Sequence, residues 1–133
     1  MRVLILVYEH LQSDLLELVL RRNGFEPILC SDPVNIRQEL KTHAPQVLMI
    51  DTRLPNHNGI DVLRQLKEDR LLNNLYVIVL SSLGSSIIVK EAVEAGAQEF
   101  LVKPLDMDML VARLKQVRSE LADRTVSSTS TKT

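Results

Sequence analysis

A chain of 133 residues with 45% hydrophobic composition is long enough to bury a core in one domain without disulfides or a structural metal, and a second domain does not fit. The formal net charge of -1 supplies no global field that would favour nucleic acid or an anionic membrane. Cys30 is the only cysteine, so no internal disulfide forms; a reducing compartment suits it, and a small buried hydrophobe is its plain role.

In chain order, Met1-Arg2 leads into an apolar run, Val3 to Val7, that is too brief for the core of a signal peptide, and no segment approaches the length of a membrane span. A cytoplasmic protein is the expectation. Continuous apolar runs at Val3 to Val7, Val47 to Ile50 and Val77 to Leu80 suit strands buried on both faces, as in a parallel sheet covered by helices. Phe25 to Leu29 and Phe100 to Val102 are shorter examples of the same pattern.

Between these runs the apolar period changes to that of a helix: Leu11, Leu15, Leu18 and Val19; Ile36 and Leu40; Ile60, Leu63 and Leu66; Ile88, Ala92 and Ala95; and Met107 through Leu121. Ser13 is a candidate cap for the first helix and Asp106 for the fifth, while Asp32-Pro33 opens the second with a capping side chain and a proline. Asn23-Gly24 and Ala95-Gly96 place glycine just past helical segments, where a left-handed residue ends a helix cheaply. Five strands alternating with five helices specify a doubly wound α/β sheet with right-handed crossovers. Leu54 to Gly59 is the one longer loop, and it follows Asp51 closely.

Asp51 ends the third apolar run, and Lys103-Pro104 closes the fifth. In an open α/β sheet the carboxyl ends of strands face one crevice, so this carboxylate and ammonium are expected to meet there. The plain alternative for Asp51 is a strand-end residue that caps the following loop. His10, His43 and His57 lie in separate segments without helical ligand spacing, which disfavours zinc. Val7 to Gln12 contains no glycine, which disfavours a phosphate loop of the P-loop or Rossmann kind.

Taken together, Val47-Leu48-Met49-Ile50-Asp51 with Leu54-Pro55 and Gly59, Val79-Leu80-Ser81-Ser82, and Glu94-Ala95-Gly96-Ala97 leading to Phe100-Leu101-Val102-Lys103-Pro104 resemble the receiver domain of two-component response regulators over roughly residues 2 to 121. The resemblance implies a flavodoxin-like (βα)5 fold with a five-stranded parallel sheet in the order 2-1-3-4-5. It implies a receiver domain over 1–122, with 123–133 a Ser/Thr-rich disordered tail or linker stub. It further implies that Asp51 is the phosphoacceptor, a carboxylate nucleophile forming an acyl phosphate. Lys103 then contacts the phosphoryl group and is joined to Pro104 by a cis peptide. Ser81 is the switch hydroxyl, and Phe100 the aromatic that follows its movement.

The chain departs from the family where an acidic pair is usual: the aligned positions hold Val7 and Tyr8, and only Glu9 is acidic. Magnesium asks for near-octahedral oxygen ligands. Asp51 and the backbone carbonyl of Arg53 remain, with Glu9 as the one acid that can substitute, so Mg2+ binding is expected to be weak or absent. Glu9 also reads as an exposed loop acid, and Arg53 as an outward, solvated side chain.

Two mechanisms follow from the resemblance. In one, a histidine kinase or phosphotransfer protein phosphorylates Asp51 and the change is relayed by Ser81 and Phe100. In the other, the chain is a pseudo-receiver that binds a protein partner without phosphate. Both use a face made by the fourth helix, fifth strand and fifth helix, where Ile87, Val89 and Val93 lie beyond the inward stripe, and a homodimer through the fifth helix stays open. Neither mechanism makes the chain an enzyme. No direct contact with nucleic acid or membrane is expected, because no residues remain for an appended helix-turn-helix. A flavodoxin-like cofactor binder is the alternative of a different class, and Val7-Tyr8-Glu9-His10 lacks the Ser, Thr and Gly residues that would cradle a flavin phosphate.

Overall fold

A computed structural model describes residues 1–131, with side chains described as far as Asp123. Five parallel strands form the sheet: β1 (Arg2–Leu6), β2 (Glu26–Leu29), β3 (Val47–Asp51), β4 (Tyr76–Ser81) and β5 (Glu99–Val102), in the order β2-β1-β3-β4-β5. The crossovers are α1 (His10–Arg22), α2 (Ile36–His43), α3 (Gly59–Glu68) and α4 (Ser86–Glu94), and α5 (Met107–Thr131) follows β5. This is the flavodoxin-like doubly wound sheet with the strand order that the resemblance implied. α5 enters the stretch 123–133 that was expected to be a tail; residues 132–133, and the side chains from Arg124 onward, lie outside the described residues.

Strand alternation divides the core into two layers. Leu4, Leu6, Leu48, Ile50, Val77 and Val79 face one side, where they pack with Ile36, Leu40, Ile60, Leu63, Leu66, Ala92 and Ala95 of α2, α3 and the α4 terminus. Val3, Ile5, Val47, Met49, Ile78 and Leu80 face the other, against Leu16 and Leu20 of α1 and Leu110, Leu114 and Val117 of α5. All five residues of β3 are buried, which explains why that strand reads as a continuous apolar run up to its terminal carboxylate.

Most of the punctuation works as the sequence indicated. Asp32 accepts from the Val34 N–H ahead of Pro33, and Asp106 Oδ1 accepts from the Met109 N–H at 3.1 Å. Gly24 and Gly96 both adopt positive φ. Asn58 Oδ1 accepts from the Ile60 N–H at 2.8 Å and so caps α3. The segment after Asp51 is more ordered than a loop, because Arg53–Leu54 and His57–Asn58 pair as a two-residue antiparallel ribbon.

The first helix corrects the sequence reading in two ways. Ser13 lies inside α1, and the capping position belongs to Glu9, whose side chain makes no capping bond. The buried stripe is Leu16 and Leu20, whereas Leu11, Leu15 and Leu18 are exposed, Leu11 to 82%. The helix carries two leucine stripes about 150° apart, and spacing within the helix cannot rank them. The crossover from β1 to β2 decides, since it turns Leu16 and Leu20 towards Val3, Ile5 and Phe25.

Candidate functional site

β1 has β2 on one flank and β3 on the other, so the connections leaving β1 and β3 diverge and open a crevice at the carboxyl ends of the strands. Asp51 stands at its floor. Its residue is 1% exposed, and both carboxylate oxygens are engaged. Lys103 Nζ lies 2.5 Å from Oδ1, and the Tyr8 backbone N–H donates to Oδ2 at 3.1 Å. The expected meeting of carboxylate and ammonium therefore occurs, as a largely buried ion pair.

Lys103 is carried there by the end of β5. Its N–H donates to the Ser81 carbonyl at 2.8 Å, which extends the β4–β5 pairing by one bond, and the Lys103–Pro104 peptide is cis. On the opposite wall, Gly59 begins α3 directly against β3. An ideal Cβ there would fall 1.8 Å from the Asp51 carbonyl oxygen, a separation no real atom tolerates, while the Gly59 N–H donates to the Thr52 carbonyl at 2.8 Å. Only glycine lets the helix come this close.

Ser81 is buried at the end of β4, one position past Leu80, the residue that pairs in register with Asp51. Its Oγ accepts from the Leu83 N–H at 3.1 Å and from the Thr52 hydroxyl at 3.0 Å. Phe100 is half-buried and packs against the core layer of α2, α3 and α4. Sequence reasoning missed Thr52 and the Tyr8 backbone donor. The first was legible as a hydroxyl directly following Asp51, but its partner depends on strand register.

The aligned acidic positions carry no carboxylate. Val7 is half-buried against the α1/α5 layer, the Tyr8 side chain is 55% exposed, and Glu9 is exposed at the start of α1. Arg53 is exposed on the ribbon, paired in register with Asn58. Among the described residues no group of three or more His, Cys, Asp or Glu side chains converges in a way that could hold a metal ion. The three histidines are dispersed: His10 and His57 are exposed, and His43 Nε2 lies 3.2 Å from Glu39. Cys30 is buried, its thiol donates to the Asp32 carbonyl at 3.3 Å, and burial pushes its pKa up, as suits a structural hydrophobe. Among the described residues no helix is long and apolar enough to cross a membrane.

Residues 3–115 match the family model of the response regulator receiver domain. The chain is 27% identical over 125 residues to the phosphate regulon transcriptional regulatory protein PhoB of Escherichia coli, covering 94% of this chain and 55% of that one. To the DNA-binding response regulator MtrA of Mycobacterium tuberculosis it is 28% identical over 114 residues, covering 86% of this chain and 49% of that one. The chain thus spans about half the length of these curated relatives. Among solved structures, the receiver domain of Francisella response regulator 1452 superposes with a TM-score of 0.82 at 24% identity, covering 90% of this chain and 98% of that one. The chemotaxis protein CheY4 of Vibrio cholerae gives 0.80 at 19% identity, covering 87% and 97%. The chain belongs to the response regulator receiver domain family of two-component signalling.

Proposed function

We propose that this receiver module uses Asp51 as its phosphoacceptor, with Lys103 and Ser81 as the groups that contact the phosphoryl oxygens, and that it does so with little or no help from Mg2+. The observation that carries this reading is the Lys103–Asp51 pair, 2.5 Å apart at the switch point. A half-buried ammonium against an attacking carboxylate is placed to stabilise negative charge as an acyl phosphate forms. Ser81, buried one register step away, supplies the hydroxyl. Phe100 is the companion aromatic.

The ligand set argues against an ordinary magnesium centre. Asp51 already gives both oxygens to Lys103 and Tyr8, and the aligned acidic positions carry an aliphatic side chain and an exposed phenol. Glu9 and the Arg53 carbonyl are the remaining oxygen donors, and they do not complete an octahedral set with Asp51. The same observation favours the second reading, a pseudo-receiver that binds its partner without phosphate. A flavodoxin-like cofactor binder has no comparable support, because the loop after β1 has no glycine.

A histidine kinase or phosphotransfer protein is the partner under the first reading, in the cytoplasm. Leu11, Leu15 and Leu18 form an exposed leucine face on α1, the helix that follows Tyr8, and this suits a helical partner. Downstream protein binding, or a homodimer, falls to the face of α4, β5 and α5, where Ile87, Val93, Val102 and Met109 are exposed. Nothing in this reading calls for enzymatic turnover or direct nucleic-acid contact by the module itself.

Acetyl phosphate treatment followed by intact-mass measurement decides between the readings. Gain of one phosphoryl mass in the parent protein and none in Asp51→Asn is expected. No gain in either protein hands the function to the pseudo-receiver.

A further inference from the structure

We propose that Thr52 is a positioning residue that latches the Ser81 hydroxyl on the α4 side of the sheet and so opposes its engagement at Asp51; the functional part of this rests on the phosphoacceptor reading above. Side chains alternate along β4, and Leu80 faces the layer of α1 and α5. Ser81, the next residue, therefore leaves the sheet on the face of α3 and α4. Its neighbours agree with that direction. Thr52 and Ser81 line a groove of about 410 Å³ with Asn58, Ile60, Leu83 and Ile88, between the Arg53–Asn58 ribbon and α4.

The hydrogen-bond count gives the latch its content. A serine hydroxyl has one proton to donate and two acceptor positions. Both acceptor positions are filled here, one by the Leu83 N–H at 3.1 Å and the other by the Thr52 hydroxyl at 3.0 Å. Ser81 is 2% exposed, so water does not readily replace either donor. Thr52 is itself fixed by the backbone, because its N–H donates to the Leu80 carbonyl at 2.9 Å and its carbonyl accepts from the Gly59 N–H at 2.8 Å. Swinging Ser81 Oγ toward a phosphoryl group on Asp51 breaks the bond to Thr52 and leaves a hydroxyl in a half-buried place without its partner. That loss is charged against activation. A receiver with an aliphatic side chain after the aspartate would not carry it.

The test compares the parent protein with Thr52→Val, which keeps the shape and removes the hydroxyl, and with Thr52→Ser, which restores it. In the ligand-free proteins, three-bond Hα–Hβ couplings read the Ser81 rotamer. One fixed rotamer is expected in the parent and in Thr52→Ser, and averaged couplings in Thr52→Val. Unchanged couplings in Thr52→Val would overturn the latch. Titration with beryllium trifluoride and magnesium, followed by amide shifts at Asp51 and Ser81, then reads its effect. The loss of one ordinary hydrogen bond corresponds to about three- to tenfold tighter binding in Thr52→Val, and equal or weaker binding overturns the proposal. If the parent protein does not respond to beryllium trifluoride at all, the phosphoacceptor reading fails, whereas the couplings still decide whether Thr52 holds Ser81. Thr52→Ala, with thermal unfolding as a control, guards against a packing fault in the valine variant.

Discussion

Lys103 Nζ stands 2.5 Å from Asp51 Oδ1, yet the two partners are not equally enclosed: the lysine side chain is 16% exposed and the aspartate side chain 2%. Breaking such a pair from either side should therefore cost different amounts. Lys103→Met strands a buried carboxylate that keeps only the Tyr8 N–H as a partner. It is expected to lower unfolding free energy by roughly 3 kcal/mol. Asp51→Asn leaves an ammonium that can turn to water, and should cost clearly less. Urea unfolding of the two variants checks the order, and the reverse order would show that Lys103 is the less tolerant partner.

Replacing Val7 and Tyr8 by aspartate returns two carboxylates to the rim beside Asp51. If the absence of these oxygens is what limits cation binding, Val7→Asp with Tyr8→Asp should raise Mg2+ affinity at least about tenfold over the parent, because hard cations follow oxygen and charge count. Titration calorimetry measures this directly. The backbone bond from Tyr8 N–H to Asp51 survives the change, so any effect reports on the side chains. Equal affinity in both proteins would remove the reason for calling the parent site impaired.

Gly59→Ala addresses the wall behind Asp51. The added methyl would meet Asp51 backbone atoms, its carbonyl oxygen at 1.8 Å and its carbonyl carbon at 2.9 Å, so neither neighbour can rotate away. Overpacking against main chain is expected to cost roughly 3 kcal/mol. The displacement falls on the strand end that aims the carboxylate, so amide shifts at Asp51 and Thr52 should move together with the loss of stability. A variant with parental stability and shifts would mean that α3 can slide, and that the close approach is not required.

At the edge of the sheet away from β2, the Tyr76 hydroxyl donates to Glu99 Oε2 at 2.9 Å and accepts from Arg113 at 3.1 Å. Burial raises the Tyr76 pKa above its ordinary 10.0, the Glu99 carboxylate raises it further, and Arg113 pulls the other way. The folded state therefore favours the protonated phenol. Its contribution is fully present below the unfolded pKa near 10.0 and is lost as pH rises through the higher folded value. Stability of the parent should thus fall above about pH 10 more steeply than that of Tyr76→Phe. Urea midpoints of both proteins across that window test the sign, and parallel curves would exclude Tyr76 as the source.

Strand positions were legible because burial on both faces leaves an unbroken apolar run, as Val47 to Ile50 shows. The Lys103–Asp51 meeting was legible for a related reason: parallel strands deliver their carboxyl ends to one crevice, whatever the detailed packing. What could not be read was any choice that depends on rotation about an axis. Nothing local to Thr52 says that its hydroxyl meets Ser81, 29 positions on, because strand register makes that pair. Likewise, Asn58 is a helix cap only because α3 starts at Gly59.

α1 makes that limit measurable. Leu15 and Leu16 are adjacent leucines of equal propensity, and the fold leaves the first exposed while burying the second completely. Leu16 packs in the layer with Val3, Ile5, Phe25 and Leu114, so Leu16→Ala removes buried methyl groups from a site with little freedom to collapse. The expected cost is about 3 kcal/mol. Leu15→Ala removes surface that already meets water, and should stay within about 0.5 kcal/mol of the parent. Urea unfolding separates these values easily. Equal costs would mean that the outward leucine stripe is covered in solution, and sedimentation of the parent and Leu15→Glu proteins would then show whether a second copy covers it.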